Sequence, residues 1–324
     1  MPFDPETLIW KSSLKNLITD SKVLCQRLNL PENLISHNPF PLRVTESFLA
    51  RMEKGNPKDP LLLQVLISQQ ENLNDQGRTD PLEEKNYLKQ PGLIQKYQGR
   101  ALVTVTEACA VHCRYCFRRH FPYAQNRLGK MGWERIVNYL QNDTSISEII
   151  LSGGDPLMLN DESLQQIIQE LGKIPHLKRL RIHTRIPSVL PERITSTLIA
   201  ILSRSRLAVI IVVHINHANE IDTQVKQVCQ KLKSHVTLLN QSVLLKNIND
   251  SAESLVQLSE KLFDAGILPY YLHVFDPVRA AMHFDVPIEE AKILHKKIAC
   301  VLPGYLVPKL VKEIPREPYK TVLS

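Results

Sequence analysis

From residue 100 onward, short runs of branched apolar residues alternate with stretches in which apolar residues return every third or fourth position. The runs are ALVTVT at 101–106, SEIILS at 147–152, LKRLRIHT at 177–184, LAVIIVVHI at 207–215, HVTLLNQSV at 235–243 and ILPYYLHVF at 267–275. They read as strands, and the stretches 133–140, 163–171, 195–202, 220–232, 252–262 and 288–299 read as helices. Strand-helix units in series predict parallel strands joined by right-handed crossovers, an α/β fold. The first hundred residues lack this rhythm. They predict short helices at 20–28 and 60–69, a polar segment at 72–80, and breaks at Pro91, Gly92 and Gly99. The expected division is a helical N-terminal region over 1–99, a barrel over 100–302 and a C-terminal segment over 303–324.

An open doubly wound sheet would produce the same rhythm. The polar residues favour a partial (β/α)6 barrel of the TIM-like type. Glu107, Asp155, His183, Arg185, His214, Asn216, Gln241, His273 and Asp276 close successive strands, and a ring of strand C-termini is how a barrel builds a site. The longest purely apolar run, 207–213, is too short for a membrane span. The opening MPFDPETLIWKSS lacks the basic-then-apolar order of a signal peptide. A cytoplasmic location and no membrane partner are expected. The net charge of +7 invites a nucleic-acid reading. However, the basic residues are scattered and not interleaved with aromatics on a strand pair, so no nucleic-acid partner is expected.

The cysteines matter by position. Cys25, Cys229 and Cys300 stand alone and read as small buried hydrophobes, whereas Cys109, Cys113 and Cys116 form CAVHCRYC directly after the first strong strand. Zinc is one reading, with His112 or His120 completing the ligands, but structural zinc normally takes separated pairs. Three thiolates also match three irons of a [4Fe-4S] cubane and leave the fourth iron open. A second feature, LSGGDPL at 151–157, closes the next strand with two glycines that would let backbone approach a ligand.

The CxxxCxxC spacing followed by an aromatic residue, together with the GGDP segment, resembles the radical S-adenosylmethionine superfamily. That resemblance implies S-adenosylmethionine chelated to the open iron, with Gly153, Gly154 and Asp155 at its methionine amino group. The resemblance narrows to lysine 2,3-aminomutases through PGLIQKY at 91–97, CRYCFRRHF at 113–121, RIHTRIPSVLPERIT at 181–195, HINHANEI at 214–221, NQSVLLKNIND at 240–250 and PGYLVPKLVKEIP at 303–315. It implies pyridoxal 5′-phosphate held by Lys320 and supported by Arg100. It also implies His214 and Gln241 beside S-adenosylmethionine, Arg118 on the substrate carboxylate, and Asp276 with Glu313 on the distal ammonium of L-lysine. The reaction implied is conversion of (S)-α-lysine to (R)-β-lysine.

Three departures separate the chain from catabolic lysine aminomutases. Glu313 stands where they carry an aspartate, and Arg316, Glu317, Pro318 and Tyr319 replace a glycine-rich approach to the cofactor lysine. The sequence ends at Ser324, where they carry a cysteine-bearing extension. NPFPLRVTESFLARMEKGNPKDPLLLQVL, within the first hundred residues, is similar to the bacterial aminomutases that serve elongation factor P. That similarity implies a functional link to elongation factor P and its lysyl ligase, alongside a reduced flavodoxin or ferredoxin-like electron donor. A homo-oligomer contact through the N-terminal region is also expected. Three other readings stay open: a radical aminomutase of another amino acid, a catabolic lysine aminomutase, and a non-catalytic scaffold that keeps the cluster without needing Lys320.

Overall fold

The computed structural model describes residues 5–73 and 76–323. The first four residues of the N-terminal reading, the middle of the polar segment and Ser324 lie outside the described residues. Ten strands form one sheet in strict chain order: β1 (Leu88–Gln90), β2 (Leu93–Tyr97), β3 (Arg100–Thr106), β4 (Glu148–Gly153), β5 (Arg179–Thr184), β6 (Ala208–Val213), β7 (Thr237–Val243), β8 (Leu268–His273), β9 (Lys309–Lys312) and β10 (Thr321–Val322). Strands β3 to β9 run parallel, while β1 and β2 at one margin and β10 at the other pair antiparallel.

The expected crossover helices are present as Lys130–Asn142, Asp161–Gly172, Ser196–Ser203, Thr223–Lys233, Ala252–Asp264 and Ile288–Val301. Asn160, Thr195, Asp222 and Ser251 cap four of them by accepting from backbone N–H groups of the first turn.

Alternation along the strands decides between barrel and open sheet. Ile149, Leu151, Leu180, Ile182, Val209, Ile211 and Val213 belong to the helix-side core. Their neighbours one residue away, Ile150, Ser152, Arg181 and His183, line an internal cavity, as do Gln241, Val243, Tyr271 and His273. A doubly wound sheet would cover both faces with helices. Here one face is packed and the other encloses a polar interior, as in a partial barrel.

The N-terminal residues share that core, since Trp10, Leu24, Val44, Phe48 and Leu62 lie in one apolar cluster with the barrel helices. The expected helix at 20–28 is Ser21–Arg27. The one expected at 60–69 is instead a series of turns. Asp59 accepts from the N–H groups of Leu61 at 2.9 Å and Leu62 at 2.8 Å, and Leu61, Leu62 and Val65 are fully buried. The helix Pro5–Lys15 was not expected, and only Trp10 of it is buried. Pro91 and Gly92, expected as a simple break, form the turn of the β1–β2 hairpin, with Gly92 at φ +81°. Cys25 and Cys229 are buried as expected, but Cys300 is exposed. No helix among the described residues is long and apolar enough to cross a membrane.

Candidate active site

The interior holds a cavity of about 340 Å³. Cys109, Cys113, Cys116, Arg118, Gly153, Gly154, Asp155, His214, Gln241, Asp276, Arg100, Glu313 and Lys320 all line it. Residues more than two hundred positions apart are thus brought to one space, because inward side chains of a curled sheet share one interior.

The cysteine loop is fastened from the N-terminal side. The N–H of His112 donates to the Arg43 carbonyl at 3.0 Å, and that of Arg114 to the Gln64 carbonyl at 2.9 Å. Arg114 and Arg119 both grip Glu71, at 2.5 and 2.8 Å, in a pair of ion pairs with almost no exposure. From the other side, the N–H groups of Gly154 and Asp155 donate to the carbonyls of Thr106 and Ala108, each at 2.7 Å. A Cβ at Gly153 would lie 2.4 Å from the Thr106 oxygen, and one at Gly154 2.4 Å from the Ala108 oxygen. Strand-to-loop packing by itself demands the glycine pair, and both residues also line the cavity. Asp155 lines the cavity, yet its oxygens accept from Thr184 Oγ1 at 2.7 Å, from the Arg185 N–H at 2.7 Å and from the Leu157 N–H at 3.0 Å. It locks the ends of β4 and β5 together.

The donor set fits a cluster. Burial, with Cys116 nearby, pushes the Cys109 thiol well above its usual value, and burial with Cys113 pushes Cys116 up to about 11. Iron would have to displace those protons, as metal binding to thiols does. Among the described residues no three acidic, histidine or cysteine groups converge on a single ion; a cubane takes its thiolates on separate irons. The zinc alternative lacks a fourth ligand at hand, since the cavity that the three cysteines line includes neither His112 nor His120.

Arg118 is buried, and Glu84 takes one edge of its fork, accepting from Nε at 2.8 Å and from Nη2 at 2.7 Å; Nη1 donates to Ser152 Oγ at 2.8 Å. At the other margin, Glu313 accepts from Lys96 at 2.6 Å and lies 3.1 Å from Lys320 Nζ. Burial would raise the Glu313 carboxyl, but Lys320 and Lys96 hold it down to about 2. Asp276 has neither a side-chain hydrogen bond nor an ion pair among the described residues, and burial with Glu313 nearby pushes it up to about 7. His214 meets the Tyr115 hydroxyl at 2.8 Å, and burial with Arg185 lowers it to about 4, so it is neutral. Sequence reasoning missed Glu84, Lys96, Tyr115, Ser152 and Arg181. Strand alternation from His183 would have found Arg181; the others depend on tertiary pairing. His183 offers a buried Nε2 with no partner. With Arg100, Arg181 and Lys96, it makes an interior suited to an anionic group beside the Lys320 amine.

Residues 103–267 match the Radical SAM superfamily. The chain is 49% identical over 322 residues to an L-lysine 2,3-aminomutase of Haemophilus influenzae, covering 97% of this chain and 95% of that one. It is 50% identical over 323 residues to the L-lysine 2,3-aminomutase of Escherichia coli, covering 97% and 94%. Among solved structures, a radical SAM methyltransferase from Sphaerobacter thermophilus aligns with a TM-score of 0.50 at 16% identity over 68% of each chain, a likeness of fold. A cysteine loop, a strand order and a near-full-length likeness at this level lead to one classification: the chain belongs to the L-lysine 2,3-aminomutase family of the Radical SAM superfamily.

Proposed function

We propose that the chain is a cytoplasmic L-lysine 2,3-aminomutase that converts (S)-α-lysine to (R)-β-lysine. The observation that carries this reading is that one cavity collects the three cysteines, the Lys320 amine, a buried guanidinium at Arg118 and an unpartnered carboxylate at Asp276. A substrate with a carboxylate and a distal ammonium matches the last two. Arg118 would hold the carboxylate through Nη1 and Nη2 while Glu84 keeps Nε fixed. Asp276 and Glu313 would receive the ammonium, which otherwise would be poorly solvated in an enclosed space.

Cys109, Cys113 and Cys116 would hold a [4Fe-4S] cluster, and Gly153, Gly154, Asp155, His214 and Gln241 would border S-adenosylmethionine. Lys320 would tether pyridoxal 5′-phosphate, with Arg100 at its anionic end. When bound, these groups would supply a 5′-deoxyadenosyl radical and a carbonyl that carries the migrating nitrogen. The chain itself supplies orientation and a dry lining from Ile94, Leu102, Ile150 and Phe275, which keeps water from reactive species. Reducing equivalents would come from a flavodoxin or ferredoxin-like donor. The likeness of its N-terminal segment to aminomutases that serve elongation factor P supports supply of β-lysine to that factor's ligase over catabolism.

Anaerobically reconstituted protein given dithionite, S-adenosylmethionine, pyridoxal 5′-phosphate and α-lysine should yield β-lysine by mass spectrometry. Borohydride should trap the cofactor on Lys320. Asp276→Ala should lower lysine turnover roughly ten- to hundred-fold, the loss of a charged hydrogen bond, while uncoupled S-adenosylmethionine cleavage persists. No product from protein with a full cluster refutes the reading.

A further inference from the structure

We infer that Arg185 tunes the reduction potential of the cluster by donating an N–H···S hydrogen bond to Cys113, and that the N-terminal region holds it in place. The inference rests on Cys113 being a cluster ligand. Arg185 Nη1 lies 2.7 Å from Cys113 Sγ. Its Nη2 donates to Gln64 Oε1 at 2.6 Å and to Glu220 Oε2 at 3.2 Å. The guanidinium lies 5.1 Å from the Phe48 ring and 5.8 Å from that of Tyr115. Its own backbone N–H is held by Asp155 at 2.7 Å.

Those anchors are themselves fixed. Glu220 accepts from the Asn216 N–H at 2.9 Å, from Gln64 Nε2 at 3.2 Å and from Ser188 Oγ at 2.8 Å. Gln64 Oε1 also accepts from Tyr115 Oη at 3.2 Å and Asn216 Nδ2 at 3.1 Å. The guanidinium is buried, and its two Nη2 hydrogen bonds hold it against Cys113.

A cluster that takes one electron from an external donor gains negative charge, part of which resides on its sulfur ligands. A fixed cation bonded to one of those sulfurs stabilises the reduced form more than the oxidised form, so the potential rises. Enclosure strengthens the effect, because field lines pass through protein rather than water. Arginine suits the position: it stays protonated, and its planar fork reaches sulfur and Gln64 together. Glu220 offsets part of the positive charge and so works in the opposite direction. Arg185 is thus a positioning residue for the electron-accepting step, and Gln64 and Phe48 give the N-terminal region a part in it.

The test uses the full chain, reconstituted anaerobically, with potentials measured by redox titration followed by electron paramagnetic resonance at matched iron and sulfide content. Arg185→Met should lower the reduced-to-oxidised ratio at fixed solution potential about tenfold, a shift of about 59 mV for one electron, and Arg185→Lys should fall between. Glu220→Gln, which keeps the shape and removes the negative charge, should move the potential upward. A merely structural role would lower melting temperature and iron loading without moving the potential of the clusters that remain. Equal potentials for wild type and Arg185→Met, or a downward move in Glu220→Gln, overturn the inference. If Arg185→Met holds no cluster, Arg185→Lys and Glu220→Gln decide alone. Wild-type protein that never binds iron would instead strike the ligand assignment, and absence of β-lysine leaves the potentials readable.

Discussion

Glu313 and Lys320 face each other across the base of the β9–β10 hairpin. Val311 pairs with Val322 and Lys312 with Thr321, and the same register continued by one step puts Glu313 opposite Lys320, 3.1 Å apart. Lys96 holds the second Glu313 oxygen at 2.6 Å and also donates to the Leu82 carbonyl at 3.0 Å. On the proposed reading, an amine that leaves this pair to hold a cofactor frees one Glu313 oxygen for a substrate ammonium. Lys96 keeps the carboxylate charged meanwhile.

On the proposed reading, Asp276 makes substrate affinity depend on pH near neutrality. Its carboxyl sits at about 7 while Glu313 is held at about 2. Below the higher value Asp276 is neutral and attracts no ammonium. The KM for lysine should be flat above about pH 8 and rise as pH falls through 7, approaching about tenfold per unit. Asp276→Asn should flatten the profile across this range, and a profile shared by both proteins would count against Asp276 as the ammonium partner.

Glu84 fixes the Nε–Nη2 edge of the Arg118 fork and Ser152 takes one Nη1 hydrogen; on the proposed reading the remaining Nη1 and Nη2 hydrogens meet the substrate carboxylate. Glu84→Gln should raise the KM for lysine with a much smaller change in kcat, because the guanidinium stays charged but is no longer aimed. Steady-state kinetics across a lysine series separates the two constants. A fall in kcat alone would assign Glu84 elsewhere.

Glu71 neutralises two arginines at once. Glu71→Ala leaves Arg114, which has no exposed surface, without its counter-charge. The expected loss is about 3–5 kcal/mol of folding stability, read as a lower midpoint in urea. The same variant should bind less iron, since Arg114 lies within the cysteine loop and Arg119 just after it.

Gly154 tolerates no side chain. Its added Cβ would meet the Ala108 oxygen at 2.4 Å and the Glu107 carbonyl carbon at 2.7 Å, and both are backbone atoms that cannot rotate aside. Gly154→Ala should cost about 1–3 kcal/mol or more and reduce iron per chain, measured by thermal melting and iron assay. Normal loading at unchanged stability would show that the loop has more freedom than its hydrogen bonds suggest.

The parallel strands from Arg100 to His273 were legible because each has an apolar face against helices. The strands at the sheet margins were not. Lys96 in β2 turns toward the cavity, and β9 begins and ends on lysine, so no run of branched apolar residues marks either strand. The cysteines and the Gly153–Gly154 pair were legible because their spacing lies within one segment. Glu84 on Arg118, Lys96 on Glu313 and Arg185 on Cys113 join residues 34, 217 and 72 positions apart. No local pattern specifies such pairings. They follow only once the sheet has curled.

The cavity is only partly enclosed, and the shortest strand of the sheet directly follows one of its lining residues. β10 has two residues, with Val322 and Tyr319 largely exposed. A strand so short peels away at little cost compared with opening the parallel strands. Lys320 immediately precedes it, and the Arg316 N–H on the Tyr87 hydroxyl at 2.8 Å acts as a latch on the same connection. On the proposed reading, the amine that tethers the cofactor therefore sits on the most easily moved margin of the sheet, so a ligand is fastened by one local movement while the strands beside the cysteine loop stay in place.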